Sequence, residues 1–179
     1  IDEPEDWIIA ERLFLKNNYS LNNYDFSKIK IFLSDVDGVL TDAGMYYTEK
    51  GDEIKKFSTY DGMAFKILQK RGVKVGIITT EDRELNRNRA QKLSLDFDFH
   101  GADDKLKIIK DLCRKQNINL NQVAYIGDDV NCFELLSNVG FPACPKNAVE
   151  KIKSIPNIIQ ISQNGGSGAV REFVEIIIN

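Results

Sequence analysis

The sequence predicts an α/β fold with a doubly wound parallel sheet, and two observations support this prediction. From residue 28 onward, short apolar runs typical of buried strands alternate with segments of helical periodicity. Strands alternating with helices of this length are typical of parallel sheets with right-handed crossovers. The chain has 179 residues, 42 % hydrophobic and 28 % charged, which is enough for one domain with its own core.

The first 28 residues differ in composition from the rest of the chain. Pro4 is followed by two acidic residues and an apolar set ending at Phe14, which indicates a short helix with acids in its first turn. An asparagine-rich stretch follows and is interpreted as a linker. We therefore divide the chain into an N-terminal helix and linker, residues 1–28, and a folded domain, residues 29–179.

Within the domain, the apolar runs predict three strands, over residues 29–34, 73–78 and 122–126. A small β-hairpin over residues 45–57, turning around Gly51, is expected to be inserted after the first strand.

Helical periodicity predicts three helices between and after these strands. Asp61 is expected to cap the first helix and Gly72 to close it. The second helix is predicted around residues 85–93 and the third around residues 106–112.

Acidic, hydroxyl and ammonium side chains stand at the ends of the predicted strands and at the start of the third helix. In chain order they are Asp35, Asp37, Thr79, Lys105 and Asp128. In open parallel sheets, ligands bind outside the carboxyl ends of the strands. We therefore expect these side chains to meet at one rim of the sheet.

This set of residue types suits phosphate chemistry. Three carboxylates on one rim repel each other unless a divalent cation joins them, and oxygen ligands favour Mg²⁺. A carboxylate beside the ion can attack phosphorus, while a lysine and a threonine hold the remaining phosphate oxygens. Taken singly, each residue could be an ordinary loop acid, surface charge or strand-end residue; the ordered set favours a site. An EF-hand loop is excluded because Gly38 stands at its fourth position rather than its sixth.

The segments Asp35-Val36-Asp37-Gly38-Val39, Thr79, Lys105 and Gly127-Asp128-Asp129 resemble the four motifs of the haloacid dehalogenase-like (HAD) phosphohydrolases. The resemblance narrows to the capless phosphatases of 3-deoxy-octulosonate 8-phosphate and nonulosonate 9-phosphates, and it extends over residues 29–178. It implies a Rossmann-like, HAD-like sheet and hydrolysis through an aspartyl-phosphate.

The resemblance also implies a role for each matching residue. Asp35 would be the nucleophile, and Asp37 would protonate the leaving oxygen and deprotonate the hydrolytic water. Thr79 and Lys105 would grip the phosphate. Mg²⁺ would be held by Asp35, the backbone carbonyl of Asp37, and Asp128.

Spacing supports the absence of a cap domain. The intervals from Asp37 to Thr79 and from Thr79 to Lys105 are both shorter than a separate domain of about 50 residues. The site must then be covered in another way, and the resemblance implies a homotetramer whose neighbouring subunits complete the pocket.

Substrate-binding candidates lie beyond the second strand and near the C-terminus. Glu81, Arg89 and Lys92 are similar to the nonulosonate 9-phosphate branch of the family, with Thr80 beside the phosphate. An ordinary acid at a helix start is the alternative for Glu81. Arg171 could meet the substrate carboxylate or pair with an acid of its own helix.

Three positions depart from the family pattern: Thr80 and Ala43 stand where glycine is usual, and Cys132 replaces the last acid of the fourth motif. That acid normally supports the metal site and the lysine, and losing such support typically costs about 10–100-fold in affinity or activity. Reduced activity is therefore expected, without requiring its complete loss.

Residues 1–11 resemble the closing segment of CMP-sialic acid (acylneuraminate) cytidylyltransferases, some of which carry a C-terminal HAD-type domain. With Ile1 as first residue, the chain is interpreted as part of such a two-domain protein. The leading hypothesis is a Mg²⁺-dependent phosphatase of a nine-carbon sugar-acid phosphate in the sialic acid pathway. The alternative is a weak or inactive domain that oligomerises the attached transferase.

Composition argues against several other classes. The net charge is −3 and the pI about 5.3, so nucleic acid is a poor candidate partner. No apolar run is long enough for a membrane helix, and three cysteines without C-x-x-C spacing favour a reducing, cytoplasmic location. A phospho-accepting receiver domain would also use Asp, Thr and Lys, but it does not need D-x-D-G after its first strand.

Overall fold

The computed structural model describes residues 24–179. Eight strands occur there: β1 (Ile31–Ser34), β2 (Tyr46–Tyr47), β3 (Glu53–Ile54), β4 (Lys74–Ile78), β5 (Phe97–Phe99), β6 (Val123–Ile126), β7 (Phe141–Cys144) and β8 (Ile159–Gln160). Six of them form one sheet in the order β5-β4-β1-β6-β7-β8, and every neighbouring pair is parallel. Strands β2 and β3 form the separate antiparallel hairpin.

Six α-helices connect and follow these strands: α1 (Thr59–Lys70), α2 (Glu84–Leu93), α3 (Lys105–Gln116), α4 (Phe133–Leu136), α5 (Glu150–Lys153) and α6 (Ala169–Ile178). Helices α1, α2 and α6 contribute to the core on one face of the sheet, where Phe32, Phe65 and Phe173 pack together. Helices α3, α4 and α5 contribute to the core on the other face. The sheet is therefore doubly wound, as predicted.

The three predicted strands and the hairpin are all present, with slightly shorter bounds. Strands β5, β7 and β8 were not predicted from the sequence. Within the described residues, the interval from Asp37 to Thr79 holds the hairpin, α1 and β4, and the interval from Thr79 to Lys105 holds α2 and β5. Neither interval contains a cap domain. The predicted N-terminal helix lies outside the described residues.

One predicted helix start is wrong. Helix α1 begins at Thr59, capped by Ser58, whose hydroxyl accepts the Asp61 N–H at 3.5 Å. Asp61 is a buried residue of the first turn, and its carboxylate accepts the backbone N–H groups of Gly168 and Arg171 at 3.3 and 2.9 Å. Asp61 therefore caps α6 instead, through a long-range contact that the local sequence does not reveal. Burial raises the pKa of Asp61.

Among residues 24–179, no helix combines the length and apolar character that crossing a membrane requires.

Candidate active site

The candidate nucleophile, Asp35, directly follows the central strand β1. Its backbone N–H donates to the Ile126 carbonyl at 3.0 Å, which extends the pairing of β1 with β6. Its Oδ1 accepts the N–H of Val36 at 2.7 Å, so the side chain is oriented by the backbone that follows it. Central strands are buried on both faces, and Asp35 is accordingly only 4 % exposed.

Lys105 is the first residue of α3 and forms an ion pair with Asp35, with 2.6 Å between Nζ and Oδ2. Both side chains are buried. Burial alone would lower the pKa of the Lys105 ammonium, but the Asp35 carboxylate outweighs it and the pKa is raised. Lys105 therefore stays charged beside the candidate nucleophile.

Cys132 joins this ion pair from the other side. Its Sγ donates to Asp35 Oδ2 at 2.8 Å and accepts from the Tyr125 hydroxyl at 3.0 Å, while Lys105 Nζ lies 3.4 Å away. Burial, followed by the nearby Asp35 carboxylate, raises the pKa of the thiol far above its usual value. The group at this position is thus a neutral hydrogen-bonding thiol.

Asp128 follows β6 and faces Asp35 across the rim. Burial, followed by repulsion from Asp35 and Asp129, raises the pKa of Asp128 to about 7. One potential ligand atom each from Asp35, Asp128 and Cys132 lies within 4.8 Å of the others. Asp35 is buried and Asp128 is half-buried, and two carboxylates this close together form a site whose chemistry fits a hard divalent cation.

Asp37 stands on the loop after β1, with its carboxylate 35 % exposed. Lys55 Nζ contacts both carboxylate oxygens, at 2.7 and 2.9 Å, and Thr41 donates to Oδ1 at 3.3 Å. Burial raises the pKa of Asp37 although Lys55 acts in the opposite direction. A carboxyl group with a raised pKa suits proton transfer.

A cavity of about 160 Å³ lies between these groups. The predicted site residues that line it are Asp35, Asp37, Thr79, Thr80 and Asp128. Ala43, Asp129 and Asn131 complete the lining. Lys105 adjoins the cavity through its contact with Asp35.

Four predicted substrate-binding residues are absent from the lining of this cavity. Glu81 forms an ion pair with Lys55. The Arg89 guanidinium donates to the Ser58 carbonyl at 2.9 Å and lies over the Phe57 ring. Lys92 is exposed on α2. Arg171 forms an ion pair with Glu175 at 2.6 Å. Pairing with an acid of its own helix was the alternative to substrate binding that the sequence left open. Their role in substrate binding stays a prediction.

A family model described as haloacid dehalogenase-like hydrolase matches residues 99–173. The 3-deoxy-D-manno-octulosonate 8-phosphate phosphatase KdsC of Haemophilus influenzae is 32 % identical over 157 residues, covering 84 % of this chain and 83 % of its own. KdsC of Escherichia coli K12 is 31 % identical over 151 residues, covering 84 % and 79 %. The chain belongs to the haloacid dehalogenase-like hydrolases.

Solved structures of similar hydrolases agree with this assignment. The crystal structure of the octulosonate 8-phosphate phosphatase from Moraxella catarrhalis, in complex with magnesium, phosphate and KDO, has a TM-score of 0.83 and 33 % identity, covering 90 % of this chain and 91 % of that one. The cobalt-bound phosphatase from Haemophilus influenzae has a TM-score of 0.81 and 30 % identity, covering 87 % and 90 %. The predictions of a HAD-like fold and of a phosphatase are thereby confirmed.

Sequence reasoning missed two members of this hydrolase's site. Lys55 gave no signal, because it is one of two adjacent lysines on a hairpin, and only the fold shows which of them points inward. Tyr125, within β6, resembles any apolar strand residue; its hydroxyl position next to Cys132 and Lys105 depends on tertiary packing.

Proposed function

We propose that the chain hydrolyses a phosphomonoester of a 2-keto-3-deoxy sugar acid, with Asp35 as nucleophile and Mg²⁺ as cofactor. The observation that carries the proposal is the contact of Asp35 with Lys105 beside Asp128, with Asp37 on the same cavity. A buried carboxylate held by a lysine and next to a cation site is the arrangement that attack on phosphorus requires.

The proposed reaction has two steps. A carboxylate oxygen of Asp35 attacks phosphorus, the bond to the sugar oxygen breaks, and Asp37 gives its proton to that oxygen. Asp37 then takes a proton from water, which attacks the aspartyl-phosphate; the bond between phosphorus and Asp35 breaks and inorganic phosphate leaves. Thr79 and Lys105 hold phosphate oxygens throughout.

The carboxylates of Asp35 and Asp128 and the backbone carbonyl of Asp37 would hold the Mg²⁺. When bound, the ion supplies neutralisation of phosphate charge and removes the repulsion between the two carboxylates. Their mutual repulsion, which contributes to the raised pKa of Asp128, supports this assignment.

The substrate is proposed to be a nonulosonate 9-phosphate of the sialic acid pathway, with an octulosonate 8-phosphate as the related substrate named for the relatives. Support for the nine-carbon sugar comes from Glu81, which follows the cavity-lining residue Thr80 in the sequence and contacts Lys55. A carboxylate at this place can accept hydrogen bonds from sugar hydroxyls.

A homotetramer is proposed to cover the open site. Large apolar side chains are exposed on the hairpin and at the start of α1: Met45, Tyr46, Tyr47, Ile54, Tyr60 and Met63. Exposed apolar groups of this size are typical of protein interfaces. Light scattering on the purified chain measures the assembly directly, and a monomer would contradict it.

The function is tested by phosphate release from the purified chain with Mg²⁺, on nonulosonate 9-phosphate, octulosonate 8-phosphate and 4-nitrophenyl phosphate. We expect preference for the nine-carbon substrate and loss of turnover with EDTA that excess Mg²⁺ restores. A preference for octulosonate 8-phosphate would contradict the substrate assignment alone. A folded protein without release from any substrate would contradict the phosphatase proposal and favour the oligomerisation alternative.

The alternative, a weak or inactive domain that oligomerises an attached cytidylyltransferase, is favoured by Cys132.

We expect Cys132→Asp to raise kcat/KM about 10-fold, within the range for such supporting groups. A carboxylate there can accept from Tyr125 and Lys105, which now meet a thiol. The Cys132→Asn variant has similar size without charge and should not show the gain. A loss of activity in Cys132→Asp would contradict the prediction.

A further inference from the structure

Lys55 directly follows strand β3 of an otherwise exposed hairpin, yet its side chain is only 2 % exposed. Its ammonium contacts both oxygens of Asp37, at 2.7 and 2.9 Å, and also forms an ion pair with Glu81. A third carboxylate, that of Glu53, has an oxygen 3.8 Å away. Three separate segments thus meet at one buried ammonium.

Burying a lysine ammonium is costly unless carboxylates compensate it, so these contacts are mutually dependent. Two carboxylate oxygens bound by one ammonium restrict both the position and the rotation of the Asp37 carboxyl group. A hydrogen bond from the Thr41 hydroxyl to that group is longer, at 3.3 Å, and the Glu81 carboxylate lies close to it without adding a positive charge. The position of Asp37 therefore depends mainly on Lys55.

Lys55 is absent from the residues that line the 160 Å³ cavity, whereas Asp37 lines it. The lysine therefore acts on the cavity through Asp37. Lys56, the next residue, has a side chain that is 62 % exposed and lies 3.7 Å from Asp42. Alternation along the strand direction places one lysine inward and its neighbour outward.

We infer that Lys55 is a positioning residue: it holds the Asp37 carboxyl group where it can transfer a proton to the leaving oxygen, and it links the hairpin to Glu81. The inference rests on the proposed role of Asp37 as acid and base. It adds a function for the hairpin that is internal to one subunit, independent of any contact between subunits.

The test compares Lys55→Met with the matched variant Lys56→Met on two aryl phosphates, phenyl phosphate and 4-nitrophenyl phosphate. Neither substrate carries a sugar, so a change in sugar contacts by Glu81 does not affect the comparison. Phenol has a pKa near 10, as tyrosine does, and needs a proton on leaving, whereas 4-nitrophenolate leaves readily without one. The ratio kcat/KM reports the steps up to departure of this group.

We expect Lys55→Met to lower kcat/KM for phenyl phosphate about 10-fold more than for 4-nitrophenyl phosphate, because misplaced general acids lose a factor of this order or larger. Lys56→Met should leave both constants unchanged within about 2-fold, as is usual for surface changes. An equal loss on both substrates in folded Lys55→Met would overturn the inference, since a purely structural role weakens both alike.

A second variant keeps the test decisive if Lys55→Met does not fold. Lys55→Arg retains the charge but presents a planar group of different reach, and we expect a selective loss on phenyl phosphate of about 3-fold or more. An unchanged substrate ratio in folded Lys55→Arg would then overturn the inference. If the wild-type chain releases phosphate from neither the aryl nor the sugar-acid phosphates, the proposed function fails; if only the variants behave otherwise than expected, the inference alone fails.

Discussion

Replacing Asp35 by asparagine is expected to lower kcat by about 10⁴-fold or more, the order found when a nucleophile is removed. The amide cannot form the acyl-phosphate, whereas its oxygen can still accept from Val36 or Lys105, which lie 2.7 and 2.6 Å from the Asp35 oxygens. Phosphate release from the sugar-acid phosphate measures the loss. Mass spectrometry of the acid-quenched wild-type reaction should find phosphate on the peptide containing Asp35.

The same variant is expected to remain folded. Removing one partner of a buried ion pair often costs about 3–5 kcal/mol, but loss of the Asp35 charge also relieves its repulsion of Asp128. A thermal melt checks this, with Asp103→Asn, at an exposed position of the loop before α3, as matched control. Turnover retained in Asp35→Asn would show that another group attacks phosphorus.

Much of the site was predictable because it is built from strand ends. Strands β1, β4 and β6 are adjacent and parallel, so residues that follow them in sequence meet at one edge of the sheet. Asp35, Thr79 and Asp128 all line the resulting cavity. The alternation of strands and helices predicts this arrangement, because each crossover helix returns the chain to the same end of the sheet and makes the strands parallel.

Contacts between distant segments were not predictable in the same way. Lys55 reaches Asp37 only because the hairpin folds back over the loop after β1, and nothing in its neighbouring residues indicates that direction. Asp61 has the residue type of a helix cap, but its bonds go to α6, more than one hundred positions away. Arg171 carries a charge that either a substrate or Glu175 could satisfy, and the neighbouring acid on its own helix is nearer.

Replacing Gly38 by alanine is the second change with a large expected effect. Gly38 has φ = +78°, and a Cβ there would lie 2.5 Å from Cγ of Asp128. The Asp128 carboxylate would have to leave its position, and a misplacement of about 1 Å typically costs about 10²-fold in rate. We expect kcat/KM to fall by about that factor and the Mg²⁺ concentration for half-maximal activity to rise.

Gly72→Ala is the control that separates the effect of crowding Asp128 from the effect of backbone strain at the substituted glycine. Gly72 also has φ = +78°, but no atom lies within 4 Å of the place that an added methyl group would occupy, so alanine there costs only the left-handed conformation, about 1–2 kcal/mol. Both variants should therefore lose a similar part of their stability through the backbone, and only Gly38→Ala should also lose activity and Mg²⁺ affinity. Equal activity in the two variants would mean that Asp128 can move freely without harm, which contradicts its assignment as a ligand. A loss confined to Gly38→Ala would show why position 38 is glycine. The loops after β1 and β6 approach each other closely there, and the cation site requires this close approach.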